Sequence, residues 1–226
     1  MTDVDKDRKT RPILSDREFN LMLAQARVNN TEFLRLRNPA ILCILRITGK
    51  RREEIAGLER KDVWVEGELL ALNFKLLKKS RRHKKENGTI VPAAPPSEKI
   101  RYIPLKDRLM PPVLEYLAHL EKEYLGAPKF WLHVRPVFGV NVVFQNKGIR
   151  GRQVYNVVRD AGDAAGVKVW PHLFRETAGG EEARRAGDSL AGINKVMNRI
   201  DVTERTAWRY MDRYVKSIID REESTR

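Results

Sequence analysis

Four separated pieces of this sequence carry side chains suited to work on a phosphate. Arg51 follows Thr48-Gly49, His172 and Arg175 bracket Leu173-Phe174, and Tyr210 stands near the C-terminus. The fourth piece, Lys75, Lys78, Lys79, Arg81, Arg82, Lys84 and Lys85, places seven basic residues within eleven positions. An arginine's planar fork can donate two hydrogen bonds to the non-bridging oxygens of a phosphate, and it stays charged at any working pH. His172 and Arg175, three apart on a helix, project from one face. A phenol, with an unperturbed pKa of ~10, is a weak nucleophile unless cations and a base assist it. The basic run suits an electrostatic grip on phosphates. Folded together, these groups would offer cations for one phosphate and a phenol that those cations and a base could activate.

The elements that must position them follow from periodicity. Residues 1–12 read as a disordered leader. Ser15-Asp16-Arg17-Glu18 is a capping box that opens an amphipathic helix with Phe19, Leu21, Met22 and Leu23. A second helix is expected from about Thr31 to Thr48, bent or broken at Pro39, whose ring does not fit inside a regular helix. Gly49 ends it, and Arg51 to Leu58 reads as a short helix. Val63 to Val65, Leu69 to Leu77 and Ile100 to Leu105 suit a three-stranded antiparallel sheet. The excursion from Lys78 to Lys99 is basic and then Pro- and Ala-rich, as in a mobile loop. Further helices are expected over 112–124, 150–165, 172–186, 189–198 and 203–222. The aromatic and valine-rich segment from Phe130 to Phe144 reads as loop, short strand, or both. The fold class is mainly α with a small three-stranded antiparallel sheet, without an internal repeat.

Composition narrows the partners. The net charge of +14, from 44 Lys+Arg against 30 Asp+Glu, favours polyanions, with nucleic acid the first candidate. A well-solvated or heat-adapted surface is the competing explanation. Hydrophobic residues at 42% and charged residues at 33% give an ordinary globular balance. The single cysteine, Cys43, sits in an apolar run and excludes an internal disulfide or a thiolate metal cluster. It reads as a small buried hydrophobe. His83, His119, His133 and His172 lack ligand spacing, and there is no Gly-rich phosphate loop. No metal or other cofactor is expected. Neither a secretory signal nor a membrane span is evident, so the expected location is cytoplasmic or nucleoid-associated.

In this order and separation the four pieces resemble the catalytic domain of the tyrosine recombinases, the phage-integrase family, over about residues 13 to 215. Thr48-Gly49-Lys50-Arg51-Arg52-Glu53-Glu54-Ile55 is similar to the family's Thr-Gly-x-Arg-x-x-Glu-hydrophobic box, with Arg51 and Glu54 on the required positions. Lys50 and Arg52 read as backbone-phosphate contacts or solvated charge. His172-Leu173-Phe174-Arg175 resembles the family's His-x-Leu-Arg, and Phe174 keeps the apolar anchor. Two departures stand out: Glu176 occupies the place of a second histidine, and Met197-Asn198-Arg199 that of Leu-Gly-His. Arg199 lies twelve residues beyond Gly187. Thr206-Ala207-Trp208-Arg209-Tyr210 resembles the nucleophile segment, with Tyr214 one turn later as its competitor.

What the resemblance implies is a DNA strand-exchange enzyme acting in site-specific recombination or integration. Tyr210 would form a 3′-phosphotyrosyl link while Arg51, Arg175 and Arg199 hold the transition state. His172 would assist the tyrosine's proton, and Lys78 would protonate the 5′ oxygen, with Lys79 and Lys75 as alternatives. Lys75, Lys79, Arg81, Arg82, Lys84 and Lys85 would grip DNA. The partner would be double-stranded DNA, bound by a homotetramer, and the pattern is nearer to archaeal or mobile-element integrases. Residues 13–226 would form the catalytic domain, without the DNA-clamping domain that family members generally carry before it. A type IB topoisomerase-like activity and a non-catalytic DNA-binding relic, the latter suggested by Glu176 and Arg199, are the alternatives.

Overall fold

The computed structural model describes residues 13–29, 31–76, 85–86, 89–90, 97–186 and 190–212. The leader at 1–12, most of the hairpin excursion (Lys78, Lys79, Arg81, Arg82 and Lys84 included) and Tyr214 lie outside the described residues.

Helix α1 (Asp16–Ala26) opens on the expected capping box: the Glu18 N–H donates to Ser15 Oγ (3.2 Å) and the Ser15 N–H donates to Glu18 Oε2 (2.8 Å). It buries Phe19, Met22 and Ala26. Helix α2 (Glu32–Thr48) is the central element, with Ala40 to Leu45 wholly buried. A helix apolar on all sides must lie inside the molecule. It runs unbroken through Pro39, where the sequence pointed to a bend or a break. Packing on every side of the following two turns outweighs the ~3 kcal/mol cost of an interior proline. Cys43 sits here, fully buried, and desolvation pushes its thiol up to about 12. The helix ends at Gly49 in the left-handed region (φ 59°), and the Gly49 N–H closes the last turn on the Leu45 carbonyl (2.9 Å).

Helix α3 (Arg52–Ala56) follows, then a short 3₁₀ turn (Arg60–Asp62) and the sheet. Strands β1 (Val63–Glu66), β2 (Leu69–Leu76) and β5 (Ser97–Pro104) form an antiparallel sheet in the order β1-β2-β5. Phe74 faces Lys99 across the β2–β5 register, and Leu72 faces Arg101. Within the excursion, β3 (Lys85–Glu86) and β4 (Thr89–Ile90) make a two-residue ladder. After α4 (Pro111–Glu123), the aromatic and valine-rich segment is a hairpin, β6 (Leu132–Val137) and β7 (Val140–Gly148). Phe138 (φ 49°) and Gly139 (φ 82°) form its two-residue turn, the positive-φ geometry that matches strand twist.

The rest is helical: α5 (Gly151–Ala165), α6 (Pro171–Ala186), α7 (Leu190–Ile200) and α8 (204–212). Two apolar clusters result. The large one joins α1–α5, the sheet and the first turn of α6. The small one joins α6, α7 and α8 through Ala178, Ala183, Ile193, Val196, Ile200, Ala207 and Met211. Among the described residues, three of those seven are alanines, so the described part of α8 buries little apolar area.

Two predictions follow from these junctions. A β-carbon at Gly49 would lie 2.8 Å from Ala178 Cβ and 2.9 Å from Ile200 Cγ2, on a backbone that disfavours side chains. Gly49→Ala should therefore cost about 2–4 kcal/mol in urea unfolding. Glu59 accepts from Lys129 (2.6 Å), and with Lys61 that ammonium holds the carboxyl at about 2, below its ordinary 4.5. A depressed carboxyl contributes stability that is full above pH 4.5 and lost as pH falls toward 2. Glu59→Gln should flatten the acid limb of the stability curve over that window.

Candidate active site

The end of α2 delivers the first arginine. After Gly49 the chain is extended through Arg51, which is the N-cap of α3. Glu54, whose side chain is fully buried, grips Arg51 twice. Its Oε2 accepts from the Arg51 backbone N–H (3.0 Å) and its Oε1 from Arg51 Nη1 (2.9 Å). One carboxylate therefore fixes both ends of the residue, and the guanidinium keeps a partly exposed edge. Glu54 stood in the sequence motif only as a match; the structure gives it an orienting role.

The second arginine, Arg175, lies in the second turn of α6 and is 2% exposed. Its Nη1 donates to the Gly49 carbonyl (2.9 Å), and its Nη2 donates to the carbonyls of Ile200 and Asp201. Burial first, and the neighbouring Arg51 charge second, push its pKa down to about 10, so it stays cationic at neutral pH. His172, one turn earlier on α6, is half-exposed, with Nε2 3.5 Å from Glu176 Oε1. Arg51, His172 and Arg175 line one open cleft of about 320 Å³, together with Lys50, Arg52, Tyr155 and Trp170. Arg52 and Arg152 lie over the Tyr155 ring, 5.9 and 5.2 Å from its centroid. The cleft thus combines cationic side chains with aromatic rings, and the Glu53 carboxylate, paired with Arg52, also lines it.

Tyr210 is carried by α8 and is half-buried. Its ring rests on Gly179, one turn beyond Arg175 on α6: a β-carbon there would sit 3.2 and 3.3 Å from ring atoms of Tyr210. The tyrosine and Arg175 are close enough to interact electrostatically. Tyr210 does not itself line the cleft; it lies beside it.

Three other expected site residues lie outside the cleft lining or are described by the backbone alone. Arg199 is absent from the cleft lining. Its side chain is largely buried, its charge faces Glu182, Arg185, Arg101 and Glu181, and desolvation lowers its pKa. Lys75, near the end of β2, is partly exposed and 3.7 Å from Glu59 Oε2. For Lys85 the structure describes the strand position alone.

Lys50 corrects the expectation of a phosphate contact or a solvated charge, since its side chain is wholly buried. Its ammonium pairs with the Asp201 carboxylate and lies 5.0 Å from the centroid of the Phe74 ring. Burial pushes it down to about 8 against the pull of Asp201. Asp201, in the left-handed turn after α7 (φ 47°), also binds Lys99 (2.5 Å) and Arg101 (3.6 Å) from β5. This knot went unseen in the sequence because its members are remote. The one local trace is the two-residue spacing of Lys99 and Arg101, which puts both on one face of a strand.

Gly179 gives a test of the tyrosine's seat. A β-carbon there would also meet Ile200 Cδ1 at 2.8 Å. Gly179→Ala should cost about 1–3 kcal/mol and speed amide exchange in 204–212, measured by mass spectrometry.

No protein-family model matches the chain, and no curated protein matches it. Among solved structures, it is similar to the XerH site-specific recombinase bound to difH substrate in a pre-cleavage complex. That likeness has a TM-score of 0.62 at 15% identity, over 89% of this chain and 50% of that one. XerH bound to palindromic difH in a post-cleavage complex gives 0.63 at 15%, over 93% and 52%. XerA recombinase gives 0.61 at 18%, over 94% and 66%. The chain therefore spans about half the length of the XerH chains it resembles. The helices, the three-stranded sheet and their order give this chain the fold of a tyrosine recombinase catalytic domain.

Proposed function

We propose that this chain cleaves and rejoins DNA strands through a 3′-phosphotyrosyl intermediate. The observation that carries the reading is the meeting of Arg51, His172 and Arg175 in one cleft, with Tyr210 of α8 packed on Gly179, one turn along α6 from Arg175. The scissile phosphate sits on the two guanidinium groups, which neutralise charge as the fifth oxygen adds. Tyr210 Oη attacks phosphorus, its proton leaves with help from His172, and the 5′ oxygen departs with a proton from a hairpin lysine. Lys78 is the assigned acid, and Lys75 and Lys79 are its alternatives. Attack by a 5′ hydroxyl reverses the step and frees Tyr210, so the phosphoester is conserved without metal or nucleotide. Arg199, which does not line the cleft, is the third cation of this reading. The net charge of +14 and the basic run from Lys75 to Lys85 supply the attraction to duplex DNA. Assembly as a homotetramer on DNA, an integrase role in a mobile element, and a cytoplasmic or nucleoid-associated location belong to the same reading.

A pool of nicked duplexes with randomised sequence tests it, because a nick next to the cleavage position lets the short fragment diffuse away and traps the adduct. Wild-type protein should give a denaturant-resistant protein–DNA band. Tyr210→Phe should abolish that band and Tyr214→Phe should keep it. Arg51→Ala and Arg175→Ala should each slow adduct formation about a hundredfold or more. Salt-sensitive binding with no band from any duplex would leave the DNA-binding relic standing. Relaxation of supercoiled plasmid without sequence preference would favour the topoisomerase-like alternative.

A further inference from the structure

The turn between α7 and α8 is held mainly by charge. Among the described residues of α8, Ala207 and Met211 are buried in the small apolar cluster, with Tyr210 packed against it. Asp201 takes a left-handed backbone, which is unfavourable for a residue other than glycine. Its carboxylate meets Lys50 from the arginine box, and Lys99 and Arg101 from β5. Its own carbonyl accepts from Arg175 (3.2 Å). The same two β5 side chains reach carbonyls at the end of α7: Lys99 donates to Asn198 (3.2 Å) and Arg101 to Arg199 (2.8 Å). Those carbonyls have no partner inside the helix, so each bond satisfies a group that would otherwise be left to water.

Each partner belongs to a different part of the candidate site. Lys50 adjoins Arg51 and itself lines the cleft, as does Arg175. Lys99 and Arg101 pair in register with Phe74 and Leu72 of β2, the strand that leads out to the hairpin lysines. One carboxylate therefore collects cations from the arginine box and the sheet, and the backbone beside it collects Arg175.

We propose that Asp201 is a positioning residue: by binding Lys50, Lys99 and Arg101 at once, it sets the start of the tyrosine helix against the arginine cleft of its own chain. This rests on the cleavage reading above. Neutralising Asp201 leaves a fully buried Lys50 beside Arg101 and Lys99 without the carboxylate all three share, a costly arrangement that parting of the turn relieves. The loss would fall on the placement of Tyr210. Grip on DNA depends on phosphate contacts elsewhere and would persist.

The test uses the full chain and two measurements. On a nicked duplex recovered from the randomised pool, Asp201→Asn should bind within threefold of wild type and form adduct at least tenfold more slowly. Asp201→Glu, which restores the carboxylate, should recover most of that rate. Without DNA, Asp201→Asn should raise amide exchange across 202–212 while α2 keeps wild-type protection. If Asp201→Asn does not fold, Lys99→Met with Arg101→Met, both on partly exposed side chains, takes its place with the same expectations. A wild-type adduct rate in the neutralised variant overturns the proposal, and so does unchanged exchange in 202–212. If wild type forms no adduct with any duplex, the cleavage reading fails by itself, and the exchange measurement still decides whether Asp201 holds the helix.

Discussion

A guanidinium buried to 2% exposure must find partners inside the protein, and Arg175 finds them at the ends of two helices. The Gly49 carbonyl terminates α2, and those of Ile200 and Asp201 terminate α7. Helix C-termini carry unpaired carbonyls and a partial negative charge, so a cation is what they bind best. Stripping a charge of water costs several kcal/mol unless hydrogen bonds replace the lost solvent. Arg175 and the two helix ends thus fix one another. The first arginine box, which starts at Gly49, and the tyrosine segment, which starts after Asp201, are both placed by that single side chain.

The spacing of His172 and Arg175, the capping box at Ser15, the three strands and their antiparallel order were all legible in the sequence, because each is a local pattern with a short period. Pro39 was legible only in part: its ring pointed to a bend or a break, and the helix is not broken. Its helix persists by virtue of burial on every side, which no window around the proline reveals. Lys50 was misjudged: beside Arg51 and Arg52 it looks like one more surface cation, and its burial depends on Asp201, 151 residues away. Arg199 was assigned by spacing alone, and its side chain is not among those lining the cleft. Counting residues locates a backbone position; it does not choose between the two sides of a helix.

The two apolar clusters differ in what they can hold. The large one anchors α2 and the sheet, so the Arg51 end of the cleft stands on a rigid base. The small one is alanine-rich among the described residues and is supplemented by the Asp201 ion pairs at the turn before α8, which are too enclosed for salt to screen strongly. Low-stability segments open first in native proteins.

Cys43 lies at the opposite extreme, in the middle of the best-protected helix, with its thiol pushed up to about 12. A thiol that is both enclosed and protonated is nearly inert to alkylating reagents. It becomes reactive when α2 itself comes apart. The lone sulfhydryl therefore serves as a built-in gauge of whole-molecule opening, silent to any local excursion of the tyrosine helix, and labelling at that one atom separates the two kinds of motion without adding a foreign dye site.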